Sequence, residues 1–204
     1  MTEDRTSAVR GGHTIRRSRW LAITGLMSAL ALLGNYVLVG LPNVEMGSSI
    51  LFVTAYIFGF YMAMWCTLIM STIYGMFNPW GGLVPQIWIS QVIGWLFVGA
   101  AGAIMGRNGA ARQGTRTSPI EFGLVGAITT LFFDLVTDLG YSWAIGVPYY
   151  VALALGLPFM VVHVVSNFLI FLLVVPVISR AIEQTFGEVI WGTTIKDTTS
   201  LGEG

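Results

Sequence analysis

Residues 46–106 read MGSSILFVTAYIFGFYMAMWCTLIMSTIYGMFNPWGGLVPQIWISQVIGWLFVGAAGAIMG, and none of them is Asp, Glu, Lys or Arg. At about 1.5 Å per helical residue, the stretch would be roughly 90 Å long. The hydrocarbon core of a bilayer is about 30 Å thick, and a helix needs about 20 residues to cross it. The stretch therefore predicts three membrane crossings.

Turn signals divide this stretch into helices. The run from Asn78 to Gly82 (Asn-Pro-Trp-Gly-Gly) predicts a turn, and Pro85 suits the first position of the next helix. One crossing therefore covers residues 85–106. Residues 48–77 must hold the other two, which predicts two short helices joined by a tight turn near Gly59.

Apolar segments on either side predict three further helices. The first begins at Trp20 and ends at about Gly40, before Pro42. The fifth covers residues 120–145 and the sixth covers 158–180. Pro148 and Pro158 bracket the connection between them, which could itself be a short apolar helix. The predicted fold class is an all-α integral membrane protein with six transmembrane helices. Its predicted parts are a basic N-terminal tail (1–19), a six-helix membrane domain (20–184) and a C-terminal tail (185–204).

The positive charges predict the orientation of these helices. They fall before the first helix, in the loop at 107–119 and after the last helix: Arg5, Arg10, Arg16, Arg17, Arg19, Arg107, Arg112, Arg116, Arg180 and Lys196. Positive residues mark cytoplasmic segments, so both termini and that loop are predicted to be cytoplasmic. The Arg-rich N-terminus has no small-residue cleavage pattern after it, so we expect an uncleaved first helix rather than a signal peptide.

Composition narrows the possible functions. The chain has 204 residues, of which 55% are hydrophobic and only 10% charged, whereas soluble domains have about 25% charged residues. Net charge is zero, so nothing suggests a nucleic-acid partner. The single cysteine, Cys66, excludes a disulfide within the chain. We find no phosphate-binding loop, metal-binding motif or nucleophile motif, and we expect neither a cofactor nor an enzyme.

The predicted orientation places the intramembrane polar residues in the outer half of the bilayer. Asp134 lies about 21 Å along the fifth helix, Asp138 lies one turn higher, and Tyr141 shares their face. His163 and Asn167 share a face of the sixth helix, and Asp134 is expected to pair with Asn167 or with a backbone donor. The candidate substrate-binding residues are Asn43, Glu45, Asn78, Trp80, Gln86, Gln91, Asp134, Asp138, Tyr141, Trp143, His163 and Asn167.

These polar groups have two interpretations. Ionisable residues inside a membrane are costly and normally face a cavity or the interior of a bundle, which predicts an outward-facing pocket. Alternatively, they hydrogen-bond one helix to another without binding any ligand. The outer aromatic residues are similarly ambiguous between an interfacial belt and a stacking surface for a ligand ring. Gly25 and Ala29, four residues apart on the first helix, would let another helix approach closely.

The chain resembles the substrate-binding S components of energy-coupling-factor (ECF) vitamin transporters. The matching stretches are Ala22-Ile-Thr-Gly-Leu-Met-Ser-Ala29, Leu41-Pro-Asn-Val-Glu45, Phe77-Asn-Pro-Trp-Gly81, Phe132-Phe-Asp-Leu-Val-Thr-Asp138 and His163-Val-Val-Ser-Asn167. The resemblance implies six helices with cytoplasmic termini, a ligand site in the outer loops and outer halves of the later helices, and no chemistry. It also implies assembly with a T component, contacted by Gly25 and Ala29, and with two ATPase subunits in the cell membrane. The family has alanine where this chain has Gly25.

The sequence is also compatible with two other functions, a secondary transporter and an intramembrane enzyme. A proton-coupled secondary transporter would use Asp134, Asp138 and His163 as relays, although such transporters usually carry inverted repeats and we find none. An intramembrane enzyme would need a nucleophile or a metal cluster.

The charged residues of the chain also limit the charge that a ligand can carry. No Lys or Arg lies between Arg19 and Arg107, or between Arg116 and Arg180. A buried anion would therefore lie beside acids without a basic partner, which is costly. Helix N-termini at Pro85 and Pro158 could still attract an anion. The expected order is a cobalamin-like ligand first and a thiamine-like ligand second, ahead of carboxylate vitamins.

Overall fold

The computed structural model describes residues 9–10, 13–14, 17–79, 81–111 and 117–191. Two very short antiparallel strands, β1 (Val9–Arg10) and β2 (His13–Thr14), precede the helices. The helices are α1 (Arg17–Val37), α2 (Gly47–Phe58), α3 (Phe60–Met76), α4 (Pro85–Ala111), α5 (Pro119–Ile145) and α6 (Tyr149–Trp191). The described part of the chain is thus a bundle of six helices, as expected.

The helix boundaries follow the local turn chemistry. Gly59, with φ of 91°, separates α2 from α3, and this left-handed conformation favours glycine. Pro85 is the first residue of α4. Ser118 and Glu121 form a capping box at the start of α5, which satisfies backbone N–H groups there. The predicted turn at Gly59 and the predicted helix start at Pro85 are both confirmed.

The predicted start of the sixth helix at Pro158 is wrong. Helix α6 begins at Tyr149 and continues through both Pro158 and Pro176 to Trp191, so the expected connection is its first turns. Proline removes one backbone hydrogen bond and normally ends or kinks a helix. In a membrane helix, neighbouring helices and local adjustments can satisfy the freed groups. Pro158 therefore provides no helix N-terminus for an anion, whereas Pro85 does.

Helix α2 is the centre of the bundle. Eleven of its 12 residues are buried, and only Tyr56 is partly exposed. A helix that is apolar all round belongs in a core. Phe52 packs its ring against Phe122 of α5 and Phe171 of α6, with centroids 6.0 Å and 5.1 Å away. Through these contacts α2 holds the long helices together.

Glycines bring α4 and α1 close to α2. A Cβ atom at Gly102 would lie 2.5 Å from the carbonyl oxygen of Phe52, and one at Gly106 would meet the carbonyl oxygen of Tyr56. On the other side of α2, a Cβ at Gly34 would lie 3.0 Å from the backbone nitrogen of Gly47. Small residues at these positions permit backbone-to-backbone contact.

Within the described part of the chain, four helices are long and apolar enough to cross a membrane: Arg17–Val37, Pro85–Arg107, Pro119–Ile145 and Tyr149–Ile182. Helices α2 and α3 are shorter, with 12 and 17 residues. Three arginines lie at the same end of the helices. Arg17 is the first residue of α1, Arg107 lies near the end of α4, and Arg180 lies in the last turn of the α6 span. We call this the basic end of the bundle. The predicted C-terminal tail is helical up to Trp191, and its remainder lies outside the described residues.

Candidate functional site

The loop between α1 and α2 is held in place by polar contacts at two of its residues. Its Asn43 adopts a left-handed conformation with φ of 57°, which asparagine tolerates better than most residues. The carboxylate of Glu45 accepts a hydrogen bond from the Ser48 backbone N–H at 2.8 Å. The Ser166 hydroxyl of α6 donates to the Asn43 carbonyl at 3.2 Å. These contacts fix the loop over the end of the bundle opposite the basic end.

A cavity of about 670 Å³ lies beneath this loop. Small-molecule sites are typically clefts of about 300–1,000 Å³. The wall comes from the loop and from every helix except α2: Asn35, Val39, Leu41, Pro42, Asn43, Val44, Glu45, Tyr74, Gln91, Trp95, Phe133, Asp134, Thr137, Asp138, Gly156, Phe159, Met160 and His163. Among these residues are three carboxylates and one imidazole, but no Lys or Arg.

His163 lies between two carboxylates. Its Nδ1 is 2.7 Å from Asp134 Oδ1, and its Nε2 is 3.7 Å from Glu45 Oε1. The side chains of His163 and Asp134 are 6% and 8% exposed, and that of Glu45 is 17% exposed. A protonated imidazole here forms an ion pair with each acid. The arrangement links α5, α6 and the loop through one side chain.

Four titratable side chains of the cavity wall each have a buried polar atom without a hydrogen bond. Among the described residues, Glu45 Oε1, Asp134 Oδ2, Asp138 Oδ2 and His163 Nε2 are buried and lack a hydrogen-bond partner. Buried polar groups are normally satisfied, so such a cluster in one cavity wall is a binding-site signature. Asp138 stands against α6, where a Cβ atom at Gly156 would lie 2.6 Å from its Oδ2.

The charge on Glu45 is maintained despite its burial. Burial opposes ionisation, but the neighbouring His163 and Ser48 hold the pKa of Glu45 below its ordinary value. A hydrogen bond donated to a carboxylate favours its charged form. The loop therefore contributes a negative charge to the cavity.

Aromatic rings form the apolar part of the wall. Trp95 is 3% exposed, and its indole N–H donates to the Ser48 hydroxyl at 3.1 Å. Phe133 lies with its ring centroid 5.1 Å from that of Trp95 and 5.8 Å, edge to face, from that of His163. The cavity thus joins π surfaces to carboxylates, the two features that attract organic cations.

The structure brings half of the predicted binding residues into the cavity wall: Asn43, Glu45, Gln91, Asp134, Asp138 and His163. It places Asn78, Gln86, Tyr141, Trp143 and Asn167 elsewhere. Trp80 lies outside the described residues.

The residues outside the wall differ in their surroundings. Tyr141 and Trp143 are 39% and 66% exposed near the end of α5, because the cavity extends along that helix only as far as Asp138. Asn78 and Gln86 are half-buried near the α3–α4 turn. Asn167 is fully buried one turn below His163. The expected partnership of Asp134 with Asn167 or a backbone donor is wrong, since the hydrogen bond of Asp134 goes to His163.

Other wall residues were not among the predicted binding residues. Asn35 and Trp95 carried a polar or aromatic signal at the outer end of the membrane. Thr137 lies beside the two aspartates in sequence. Tyr74 and Met160 carry no signal, because a cavity-lining apolar residue looks like a core residue in a sequence.

Gly25 and Ala29 lie on the outer surface of α1. Both are exposed, and nothing lies within 4 Å of a Cβ atom built at Gly25. The surface between them is therefore open to a second helix. In the described ranges, no group of three His, Cys, Asp or Glu side chains is arranged to hold a metal ion.

Comparison with known proteins identifies no relative. The chain matches no protein-family model, no curated protein and no solved structure.

Proposed function

We propose that this chain is the membrane-embedded substrate-binding subunit of an ECF-type, ATP-driven uptake transporter. The observation that carries the proposal is the acid-lined aromatic cavity at the end of the bundle opposite the basic end. With the basic end in the cytoplasm, the cavity faces outward, where a nutrient is captured. Six crossings and location in the cell membrane are part of this proposal.

The ligand proposed for this cavity is a small organic cation or a neutral molecule. Glu45, Asp134 and Asp138 provide negative charge, and none of the described wall residues is Lys or Arg. A volume of about 670 Å³ suits a drug-sized molecule, whereas a corrinoid is too large to be enclosed. The volume therefore favours a thiamine-like ligand over the cobalamin-like ligand that the charge pattern ranked first.

Ligand binding by the purified full-length chain tests this proposal. Thiamine, cobalamin, biotin and pantothenate are titrated separately, with binding followed by calorimetry. We expect tight binding of the cation. Asp138→Asn should weaken it about tenfold to a hundredfold, the size expected for loss of a charge-assisted hydrogen bond. Trp143→Phe, at an exposed position outside the wall, is the control. Tight binding of biotin or pantothenate, with no binding of thiamine or cobalamin, would overturn the proposal.

The proposed partners are a T component and two ATPase subunits, since the chain has no phosphate-binding loop of its own. The exposed Gly25–Ala29 surface supports a helix contact. A Gly25→Leu, Ala29→Leu double variant should lose co-purification with the partner subunits while keeping its ligand affinity. Co-purification at the wild-type yield would count against this contact.

A proton-coupled secondary transporter is the second candidate. It is favoured by the contacts of His163 with Asp134 and Glu45, because a proton relay needs such neighbours. Uptake by reconstituted chain alone, driven by a pH gradient without ATPase subunits, would support it over the first candidate.

A further inference from the structure

A second, smaller cavity lies at the basic end. Its volume is about 150 Å³, and it lies between the end of α2, the start of α5 and the last turns of the α6 membrane span. We call it the basic-end pocket, and its lining residues are Tyr56, Thr117, Phe122, Pro176, Ser179, Arg180 and Gln184. It shares no residue with the acid-lined cavity.

Hydrogen-bond donors dominate the polar side of the basic-end pocket. Tyr56 and Thr117 bring two hydroxyl groups within 3.4 Å of each other. Ser179 is 6% exposed, and its buried hydroxyl has no hydrogen-bond partner among the described residues. Gln184 adds an amide. An unsatisfied buried hydroxyl is costly, so a ligand that engages the Ser179 hydroxyl would gain a hydrogen bond that the protein does not supply.

The described lining residues of the basic-end pocket carry a positive charge. Among the lining residues that the structure describes, Arg180 is the one charged residue and none is a carboxylate. The closest acid in sequence to the start of α5, Glu121, is not in the lining, and it accepts a hydrogen bond from the Ser118 backbone N–H at 2.9 Å. A guanidinium beside hydroxyl donors matches the oxygens of a phosphate group, which arginine binds bidentately.

We propose that the basic-end pocket binds a phosphate group, with Arg180 pairing with its charge and Ser179 donating a hydrogen bond to one of its oxygens. The pocket lies where the α6 membrane span ends, near Ile182. This is the depth of lipid headgroups. The phosphate can therefore belong to an anionic phospholipid or be free in solution. The site goes beyond the transport function proposed above and does not depend on it.

Native mass spectrometry of the delipidated, full-length protein tests the site. Phosphatidylglycerol is titrated against wild type, Arg180→Gln and Ser179→Ala, and the titration is repeated with 10-fold excess inorganic phosphate. The matched control is Arg107→Gln, because Arg107 is also an exposed cation near the basic end but lies outside the pocket. Thermal unfolding of each variant shows that it is folded.

The expected result is one tightly held phosphatidylglycerol, with affinity reduced about tenfold or more by Arg180→Gln or Ser179→Ala and unchanged by Arg107→Gln. Retention despite excess phosphate identifies a lipid headgroup, and displacement identifies the free anion; both support a phosphate site. Equal loss in Arg107→Gln, or equal affinity in all four proteins, would overturn it. Because neither Arg180 nor Ser179 touches the acid-lined cavity, ligand binding there should be unchanged.

Discussion

At the residue scale, His163 is the side chain on which the acid-lined cavity depends. It contacts Asp134 at 2.7 Å and Glu45 at 3.7 Å, and it lies edge to face against Phe133. Without the imidazole, the buried carboxylates of Asp134 and Glu45 would lose their ion-pair partner. Removing one partner of a buried ion pair is strongly destabilising because it leaves uncompensated charge.

We therefore predict that His163→Gln lowers stability by about 3–5 kcal/mol. A triple variant, Glu45→Gln, Asp134→Asn and His163→Gln, should recover most of this loss because it removes the charges together. Thermal unfolding in detergent, followed by tryptophan fluorescence, measures both. Equal losses in the single and triple variants would show that the ion pairs contribute little.

The convergence of Asp134, Asp138 and His163 on one cavity was predictable, but their hydrogen-bond partners were not. The positive charges predicted the direction of each helix, and residue counts then predicted matching depths for Asp138 and His163, which both line the cavity. The pairing of Asp134 with His163 instead of Asn167 depends on how far α5 and α6 are rotated against each other. That rotation comes from packing, such as Gly126 against Phe171, which a single sequence does not reveal.

At the element scale, the contact between α2 and α4 depends on Gly102 and Gly106. These residues form a glycine pair four apart that allows α4 to touch the α2 backbone. The equivalent spacing at Gly25 and Ala29 instead lies on the surface. Two small residues four apart predict that another helix can approach closely. They do not predict which such pair forms a helix contact inside the bundle.

Gly102→Ala should destabilise the protein, because the new Cβ would lie 2.5 Å from the Phe52 carbonyl oxygen and must push α4 away from α2. Gly25→Ala is the matched control: nothing lies within 4 Å there, and alanine is favoured over glycine in a helix by about 1 kcal/mol. Thermal unfolding compares the two. If Gly102→Ala unfolds at the same temperature as Gly25→Ala, α4 and α2 are not in such close contact.

Glycine and proline predicted the boundary at Gly59 and the one at Pro85, but not the start of α6. The boundaries at Gly59 and Pro85 were predicted correctly because each residue suits its local backbone: Gly59 has a positive φ, and Pro85 is the first residue of a helix. Pro158 failed as a boundary because the penalty for proline inside a helix is a local cost that tertiary packing can offset. The short lengths of α2 and α3 were predictable because residues 48–77 are too few for two full-length membrane helices. The burial of α2 in the centre of the bundle was not predictable.

At the scale of the whole molecule, the bundle has two chemically different ends. The basic end carries arginines and the small donor-lined pocket, and the opposite end carries the three acids of the large cavity. A transmembrane orientation with the arginines inside satisfies the preference of positive residues for the cytoplasm.

Cysteine labelling checks this orientation. Cys66 is fully buried, so background from the native thiol should be low. A membrane-impermeant maleimide should label Gly82→Cys, in the α3–α4 connection, on intact cells. It should label Thr198→Cys, in the C-terminal tail, only after the cells are opened. The reverse pattern would place the acid-lined cavity on the cytoplasmic side.

In the proposed arrangement of six crossings, the short α3 would give the protein two hydrophobic thicknesses. Its exposed apolar stripe faces outward from the bundle: Phe60, Tyr61, Trp65, Ile69, Ile73 and Met76. With 17 residues, α3 is about 26 Å long, whereas the span of α6 has 34 residues. If α3 crosses the bilayer as proposed, the bilayer beside it must become thinner or the whole bundle must tilt, and either response costs a fraction of a kcal/mol per Å of mismatch. We therefore expect the acyl-chain length of the surrounding lipids to change the tilt of the bundle in the bilayer.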